Sequence, residues 1–235
     1  MKRRYFAAVL LVFLVSCQQP PAYESHYIPP TTFVDTFSRA NTELGLGEGW
    51  DMRTYVNGFP LPAATDGFIR DGNYTYAGDA VVYAARQFRG IVRRIGTVGS
   101  WKQTRDGAET TLAMAITAND QLITHMLHLA ANRSVWELTV RRGGAFEPVA
   151  SGKFSPTLAL DHGYHFEMEA TDDTVTVRVP GSEVTKNLST AGLIGDRAFW
   201  EEYVEPVPAG VVFDFDAVWA AEEGQTMPPV VTTPP

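Results

Sequence analysis

The strongest constraint on the fold is a two-residue alternation of apolar and polar side chains over residues 164–184. In "YHFEMEA" every second residue from the tyrosine is apolar, and in "TVTVRV" every second residue is valine. Side chains of a β-strand point alternately to opposite faces, so each segment predicts a strand with one buried face. Asp172 and Asp173 lie between them and favour a turn. The segment therefore predicts a β-hairpin.

The rest of the middle of the chain follows the same pattern. Strands are predicted at 110–117, 121–130 and 134–142, with further short strands upstream between glycine-containing turns. A helix is plausible only as a short patch around Phe199–Tyr203, and the adjacent Glu201 and Glu202 are expected on a surface turn. About a dozen short strands at this spacing predict an all-β fold, a two-sheet antiparallel sandwich of the jelly-roll type.

Composition divides the chain into four parts. Residues 1–16 carry a basic start and a short apolar run, the order of an export signal. Residues 17–32 are rich in proline and are expected to form an extended tether. Residues 33–221 predict the jelly-roll domain. Residues 222–235 are again proline-rich, and we expect this tail to be flexible and disordered.

The only cysteine, Cys17, ends the apolar run in "LVSC", which resembles the lipobox of bacterial lipoproteins. The resemblance implies cleavage before Cys17 and a lipid on its sulfur, which would anchor the protein to the bacterial cell membrane on the extracytoplasmic side. An ordinary signal peptide that happens to contain a cysteine is the alternative. The "RRYF" start is similar to a twin-arginine signal, so the export route stays open between that pathway and the general one.

The formal net charge of −8 limits the partners. A surface this acidic repels polyanions, which argues against nucleic acid and against anionic lipid headgroups. Attachment to a membrane is therefore expected through the lipid on Cys17. A glycan or an envelope protein remains as a possible partner of the domain.

Three segments of the domain carry a family resemblance. "FVDTFSRANTELGLGEGW" resembles the opening strand of bacterial concanavalin A-like, laminin-G-like jelly rolls, "GYHFEMEATDDTVTVRVPGSEV" resembles their central hairpin, and "VVFDFDAVWA" resembles their last strand. The resemblance implies a curved sandwich whose first and last strands pair with each other. Members of these families bind glycans, cleave them, or serve as spacers and adhesion modules.

No catalytic motif in the sequence identifies an enzymatic activity. Endoglucanase-like members of this fold carry Glu-x-Asp-x-x-Glu on one strand, and no segment here matches it. Glu167 and Glu169 share one face of a strand, and we interpret them as the solvated face of the hairpin. His125 and His128 are three residues apart on a strand, so they point to opposite faces and are expected to be structural.

Two binding sites are predicted from single residues. Trp101 lies in the polar stretch "GSWKQTRDG" and is the best candidate for an exposed platform that stacks on a sugar ring, with burial in the core as the alternative. Asp35, Asp214 and Asp216 lie in the first and last strands, and their convergence would favour a structural Ca²⁺. The alternative is that Asp35 pairs with Arg39 and the other two protect a strand edge.

Three functions follow from these observations. The first is a membrane-anchored lipoprotein whose domain binds a glycan or an envelope partner without catalysis. The second is a glycan-active hydrolase or lyase on the same fold, with a catalytic pair that the sequence does not reveal. The third is a phage- or prophage-derived interaction lipoprotein with no small-molecule ligand. The first is the main hypothesis.

Overall fold

The structure is a computed structural model, and it describes residues 28–42, 45–56, 59–62, 67–76, 81–102, 109–117, 124–205 and 213–226. Regular structure in these residues consists entirely of β-strands. In chain order they are β1 (Thr32–Asp35), β2 (Asp51–Val56), β3 (Phe59–Pro62), β4 (Gly67–Arg70), β5 (Asn73–Tyr76), β6 (Val81–Gln87), β7 (Val92–Trp101), β8 (Glu109–Thr117), β9 (His125–Ala131), β10 (Val135–Arg142), β11 (Ala145–Lys153), β12 (Tyr164–Ala170), β13 (Thr174–Val179), β14 (Ser182–Asn187), β15 (Arg197–Glu205) and β16 (Phe213–Glu222).

The strands form two eight-stranded antiparallel sheets. Sheet I has the order β14-β13-β12-β7-β16-β5-β4, with β1 also paired to β16. Sheet II has the order β11-β10-β9-β8-β15-β6-β2-β3. The all-β, two-sheet antiparallel prediction is therefore confirmed. The predicted hairpin is present as β12 and β13, paired from Glu167↔Arg178 to Ala170↔Val175.

The first and last strands lie beside each other, as the family resemblance implies. β1 pairs with β16 from Thr32↔Ala221 to Asp35↔Val218. β5 continues along the same edge of β16, over residues 213–215, and β7 pairs with the opposite edge. The last strand is thus held on both edges and forms the centre of sheet I.

The core lies between the sheets and is dominated by aromatic rings. Inward-facing residues from both sheets are fully buried, including Trp200 of sheet II and Phe213 of sheet I. The indole of Trp200 also donates a hydrogen bond of 3.0 Å to the carbonyl of Gly96 in β7, which joins the two sheets. Burial on this scale stabilises the sandwich without any disulfide, at about 25 cal/mol per Å² of apolar surface removed from water.

One expectation about secondary structure is wrong. Phe199–Tyr203, considered for a short helix or turn, lies inside β15, a strand at the centre of sheet II between β8 and β6. Both faces of this strand are occupied, because Ala198 and Trp200 face the core while Phe199 is 3% exposed on the other side. A strand covered on both faces does not show the alternation that marks a half-exposed one.

Within the part of the chain that the structure describes, we find no helix of the length and apolar character needed to cross a membrane.

Candidate functional site

The outer face of sheet II, which points away from the core, is recessed. In β8, Leu112, Met114 and Ile116 belong to the core, so Ala113 and Ala115 point outward. Outward-facing side chains are normally in contact with solvent, yet several on this face are at most 4% exposed, among them Ala85, Ala113, Ala115, Met126 and Phe199. This face therefore has a floor of small and apolar side chains below its surroundings.

Strand register places a glutamate on each side of two outward-facing alanines of this face. Glu201 of β15 pairs with Ala113 of β8, Ala113 pairs with Ala130 of β9, and Ala130 pairs with Glu137 of β10. Four neighbouring strands thus contribute Glu201, alanine, alanine and Glu137 to one row. We call Ala113, Ala115 and Ala130 the alanine trough. With neighbouring strands ~4.8 Å apart, the two glutamate Cα atoms lie about 14 Å from each other across it.

Glu201 is the acid in the middle of this face. The residue is half-buried, and burial of its carboxyl raises the pKa to about 7, although the positive charge of Arg141 acts in the opposite direction. No hydrogen bond or ion pair joins this carboxyl to another described residue. A glutamic acid that is still protonated near neutral pH can donate a proton to a bound molecule.

His128 lies in the next row, where it pairs with Ala115 on one side and Thr139 on the other. It is 7% exposed, and its Nδ1 lies 3.2 Å from the hydroxyl of Thr139. Burial, helped by the charge of Arg141, lowers the pKa of His128 to about 4. At neutral pH the ring is therefore uncharged and can orient a ligand or a water by hydrogen bonding without adding charge.

Arg141 and Phe146 complete this end of the face. They are register partners on β10 and β11, and the guanidinium carbon lies 4.8 Å from the centre of the phenyl ring. The Nε of Arg141 donates a hydrogen bond of 2.8 Å to the carbonyl of Gly144. Phe146 is 50% exposed, and its ring centre lies 5.4 Å from that of His128. The face thus offers an acid, a neutral imidazole, a guanidinium and an accessible aromatic ring.

Trp101, the predicted sugar platform, is buried. It is 2% exposed, and its ring packs edge-on against Phe213 at 4.9 Å and Phe166 at 5.8 Å. The alternative of a core position is correct, because Trp101 ends β7 with its side chain on the inner face of sheet I, whatever the polarity of the residues that follow. In this conformation its ring cannot stack on a sugar.

The structure does not bring the three predicted calcium ligands together. Asp35 pairs with Val218, four residues along β16 from Asp214, which separates the two by ~13 Å. The carboxylate of Asp35 accepts hydrogen bonds of 2.6 and 2.9 Å from Arg39, the alternative considered from the sequence. Across the described ranges, no cluster of three or more His, Cys, Asp or Glu residues is arranged to hold a metal ion.

Asp214 and Asp216 do lie near each other on the outer face of sheet I. Lys102 neutralises Asp214 at 3.2 Å and also contacts Asp161 at 3.4 Å. Burial, and next the charge of Asp214, raise the pKa of Asp216 to about 6. At neutral pH the repulsion between these two carboxylates is therefore relieved mainly by the ammonium group of Lys102, and Asp216 becomes protonated only below about pH 6.

Glu167 and Glu169 also differ from the sequence interpretation, since only Glu169 is solvated. Glu167 is 2% exposed and forms ion pairs with Arg94 at 2.8 Å and Arg178 at 2.7 Å. Its other neighbour is the indole of Trp219, whose nitrogen donates a hydrogen bond of 3.4 Å. A carboxylate held by two arginines is a structural element of sheet I. Cys17 lies outside the described residues, and its lipidation stays a prediction.

Sequence reasoning missed Glu201. The signal in the sequence is that Phe199 and Glu201 are two residues apart and so share one side of an extended segment, but an acidic pair between aromatic residues favours a surface turn. The carboxyl becomes notable only when β8 and β6 are placed on its two sides.

No protein-family model matches the chain, and no curated protein sequence matches it. Solved structures do. LamAcat from Zobellia galactanivorans has a TM-score of 0.59 at 10% identity, over 82% of this chain and 98% of that one. A mixed-linkage-glucan glycoside hydrolase family 16 protein of Bacteroides ovatus, in complex with a product, has a TM-score of 0.57 at 11% identity, over 80% of this chain and 99% of that one. The β-glucanase of Bacillus licheniformis has a TM-score of 0.55 at 8% identity, over 82% of this chain and 98% of that one. At these identities the likeness establishes the fold, a concanavalin A-like jelly roll.

The comparison also corrects the main functional hypothesis. Several of the solved structures that this chain matches over nearly their whole length are named as glycoside hydrolases or glucanases. This finding contradicts the hypothesis of a domain that binds a glycan or an envelope partner without catalysis.

Proposed function

We propose that this protein is a glycan hydrolase whose substrate lies along the alanine trough and whose proton donor is Glu201. The observation that carries the proposal is the placement of Glu201: an acid without a described partner, in a recessed face, with a pKa of about 7. The likeness in fold to proteins named as glucanases supports the substrate class. The recess itself suits a flat, extended sugar chain.

The reaction divides between the two glutamates. Glu201, protonated, gives its proton to the glycosidic oxygen as the bond from the anomeric carbon to that oxygen breaks. Glu137, exposed on the other side of the trough, accepts a proton from the water that attacks the anomeric carbon. The ~14 Å between the two Cα atoms leaves room for the side chains to approach the carboxyl separation of inverting glycosidases, about 6.5–9.5 Å.

This pair differs from the arrangement considered in the sequence. Glu-x-Asp-x-x-Glu places both catalytic groups on one strand, whereas Glu201 and Glu137 lie on strands β15 and β10 with two strands between them. The sequence separation of 64 residues between them explains why no local motif reveals the pair.

A reducing-end assay of the full-length protein tests the proposal, with laminarin and mixed-linkage glucan among the polysaccharides. We expect hydrolysis that Glu201→Gln lowers by a factor of about 10²–10⁴, the usual contribution of a general acid. Asp216→Asn is the matched control, because it removes another carboxyl of raised pKa, on the opposite sheet. Activity should fall as the pH rises above about 7, since Glu201 must be protonated. Absence of hydrolysis across the panel, or full activity in Glu201→Gln, would refute the proposal.

A further inference from the structure

Arg141 is held in place without a carboxylate partner among the described residues. Its Nε is fixed by the carbonyl of Gly144, and its guanidinium lies against Phe146. Among the described residues Arg141 forms no salt bridge, whereas six other described arginines do: Arg39, Arg93, Arg94, Arg142, Arg178 and Arg197. Its neighbour Arg142, on the other face of β10, pairs with Glu147. The outer face thus presents a guanidinium that is oriented but not neutralised.

The position of Arg141 relates it to the trough. It stands on the same face of β10 as Glu137 and Thr139, and its charge acts on both His128 and Glu201. A guanidinium whose Nε is already bound presents its two Nη groups together, a geometry that suits the two oxygens of a carboxylate or sulfate. A group bound there would lie beside a sugar in the trough.

We infer that Arg141 is a subsite for an anionic substituent, a carboxylate or sulfate, on the glycan that occupies the alanine trough. The inference rests on the proposed function for the identity of the chain that carries the substituent. The net charge of −8 disfavours a polymer charged at every sugar, so the substrate is an otherwise neutral glycan with isolated acidic groups. The exposed ring of Phe146 supports the guanidinium and offers apolar contact to the same sugar.

An anion on Arg141 would also affect the acid. The guanidinium currently favours the ionised form of Glu201. A bound anion would cancel this field and keep Glu201 protonated to higher pH. The other described charged groups of this face are Glu137, Lys153 opposite Val135, and the Arg197–Asp51 ion pair at 3.3 Å, and His128 is neutral. The anionic substrate should therefore be cleaved over a wider alkaline range than its neutral counterpart.

Matched probes test the subsite on the full-length protein: laminarin, laminarin sparsely oxidised at C6 to carboxylate, and sparsely sulfated laminarin. Binding is measured with Glu201→Gln, so that it does not depend on turnover. We expect at least one anionic probe to bind ~10–100-fold more tightly than laminarin, as a charge-assisted bidentate contact provides. Comparison of the two anionic probes identifies the preferred group.

Arg141→Gln, added to Glu201→Gln, should abolish this preference, and Arg141→Lys should retain part of it. Arg142→Gln, which changes the adjacent arginine on the other face, should leave it intact. Circular dichroism and the melting temperature show whether each variant is folded. Equal affinity for all three probes, or a preference that survives in folded Arg141→Gln, overturns the inference. An Arg141-dependent preference without hydrolysis in the wild type would uphold the subsite and refute the hydrolase.

Discussion

Glu167 and Arg178 form an ion pair of 2.7 Å between β12 and β13, and the carboxylate side of this pair is almost completely buried. Arg94 binds the second oxygen of Glu167 at 2.8 Å. The charge of a buried carboxylate is compensated here from two sides, so removing it leaves two arginines without their shared partner.

The first prediction is a large difference between two glutamates that are two residues apart. Glu167→Gln should lower the free energy of unfolding by about 3 kcal/mol, the low end for a broken buried pair because both arginines are partly exposed. For a chain of this length that corresponds to a fall of roughly 6–12 °C in melting temperature. Glu169→Gln is the control and should cost less than about 1 kcal/mol, since Glu169 is exposed. Equal effects in thermal unfolding would contradict the structural role of Glu167.

The second prediction concerns Gly96, whose open side is covered by the indole of Trp219. A Cβ at this position would overlap the ring. The ring cannot move away freely, because it stacks on His165 with centres 5.0 Å apart. Gly96→Ala should therefore destabilise the protein by about 2 kcal/mol through overpacking. In a Trp219→Leu background, which removes the ring, the same change should cost much less. A penalty that is equal in both backgrounds in chemical denaturation would argue against the contact.

The third prediction is a pH-dependent gain of stability in Glu201→Gln. The pKa of Glu201 lies above its ordinary value, so the folded protein holds this proton more tightly than the unfolded chain. The stability that the proton provides is complete below pH ~4.5 and is lost as the pH rises through about 7. Glutamine cannot ionise, so at pH 8 the variant should be more stable than wild type by roughly 2–3 kcal/mol. At pH 4 the two should melt together, and a difference that does not change with pH would rule out this explanation.

The fourth prediction tests the membrane anchoring that the sequence predicts. If Cys17 carries a lipid, Cys17→Ser should move the protein out of the membrane fraction or stop its maturation. The mature wild-type protein should begin at Cys17 and carry the added mass of acyl chains. A mature chain with another first residue, or without added mass, would disprove lipidation.

Much of the fold could be predicted from local pattern. The β12–β13 hairpin was visible because one of its faces is buried and the other is polar, which produces a strict alternation. The pairing of β1 with β16 was implied by a family resemblance at both ends of the domain. β15 could not be predicted in this way, because its outward residue Phe199 is as buried as its inward residue Trp200.

The site was less predictable than the fold, for a related reason. Glu201 and Glu167 have environments that include residues far away in sequence: the trough of β8 and β9 in one case and Arg94 of β7 in the other. Trp101 was misjudged because its polar neighbours follow the end of β7, while its own ring faces the core. Burial of a single side chain depends on which strands pair, and that information is not contained in its neighbours along the chain.

The order of strands has a consequence for biosynthesis. β15 is inserted between β8 and β6, and β16 lies between β7 and the edge shared by β1 and β5. Until residues after 196 have left the ribosome, sheet II is therefore split into two parts, and sheet I into three: β7 with β12–β14, β4 with β5, and β1 alone. A nascent chain shorter than this has unpaired strand edges in both sheets, and such edges favour aggregation until synthesis is nearly finished.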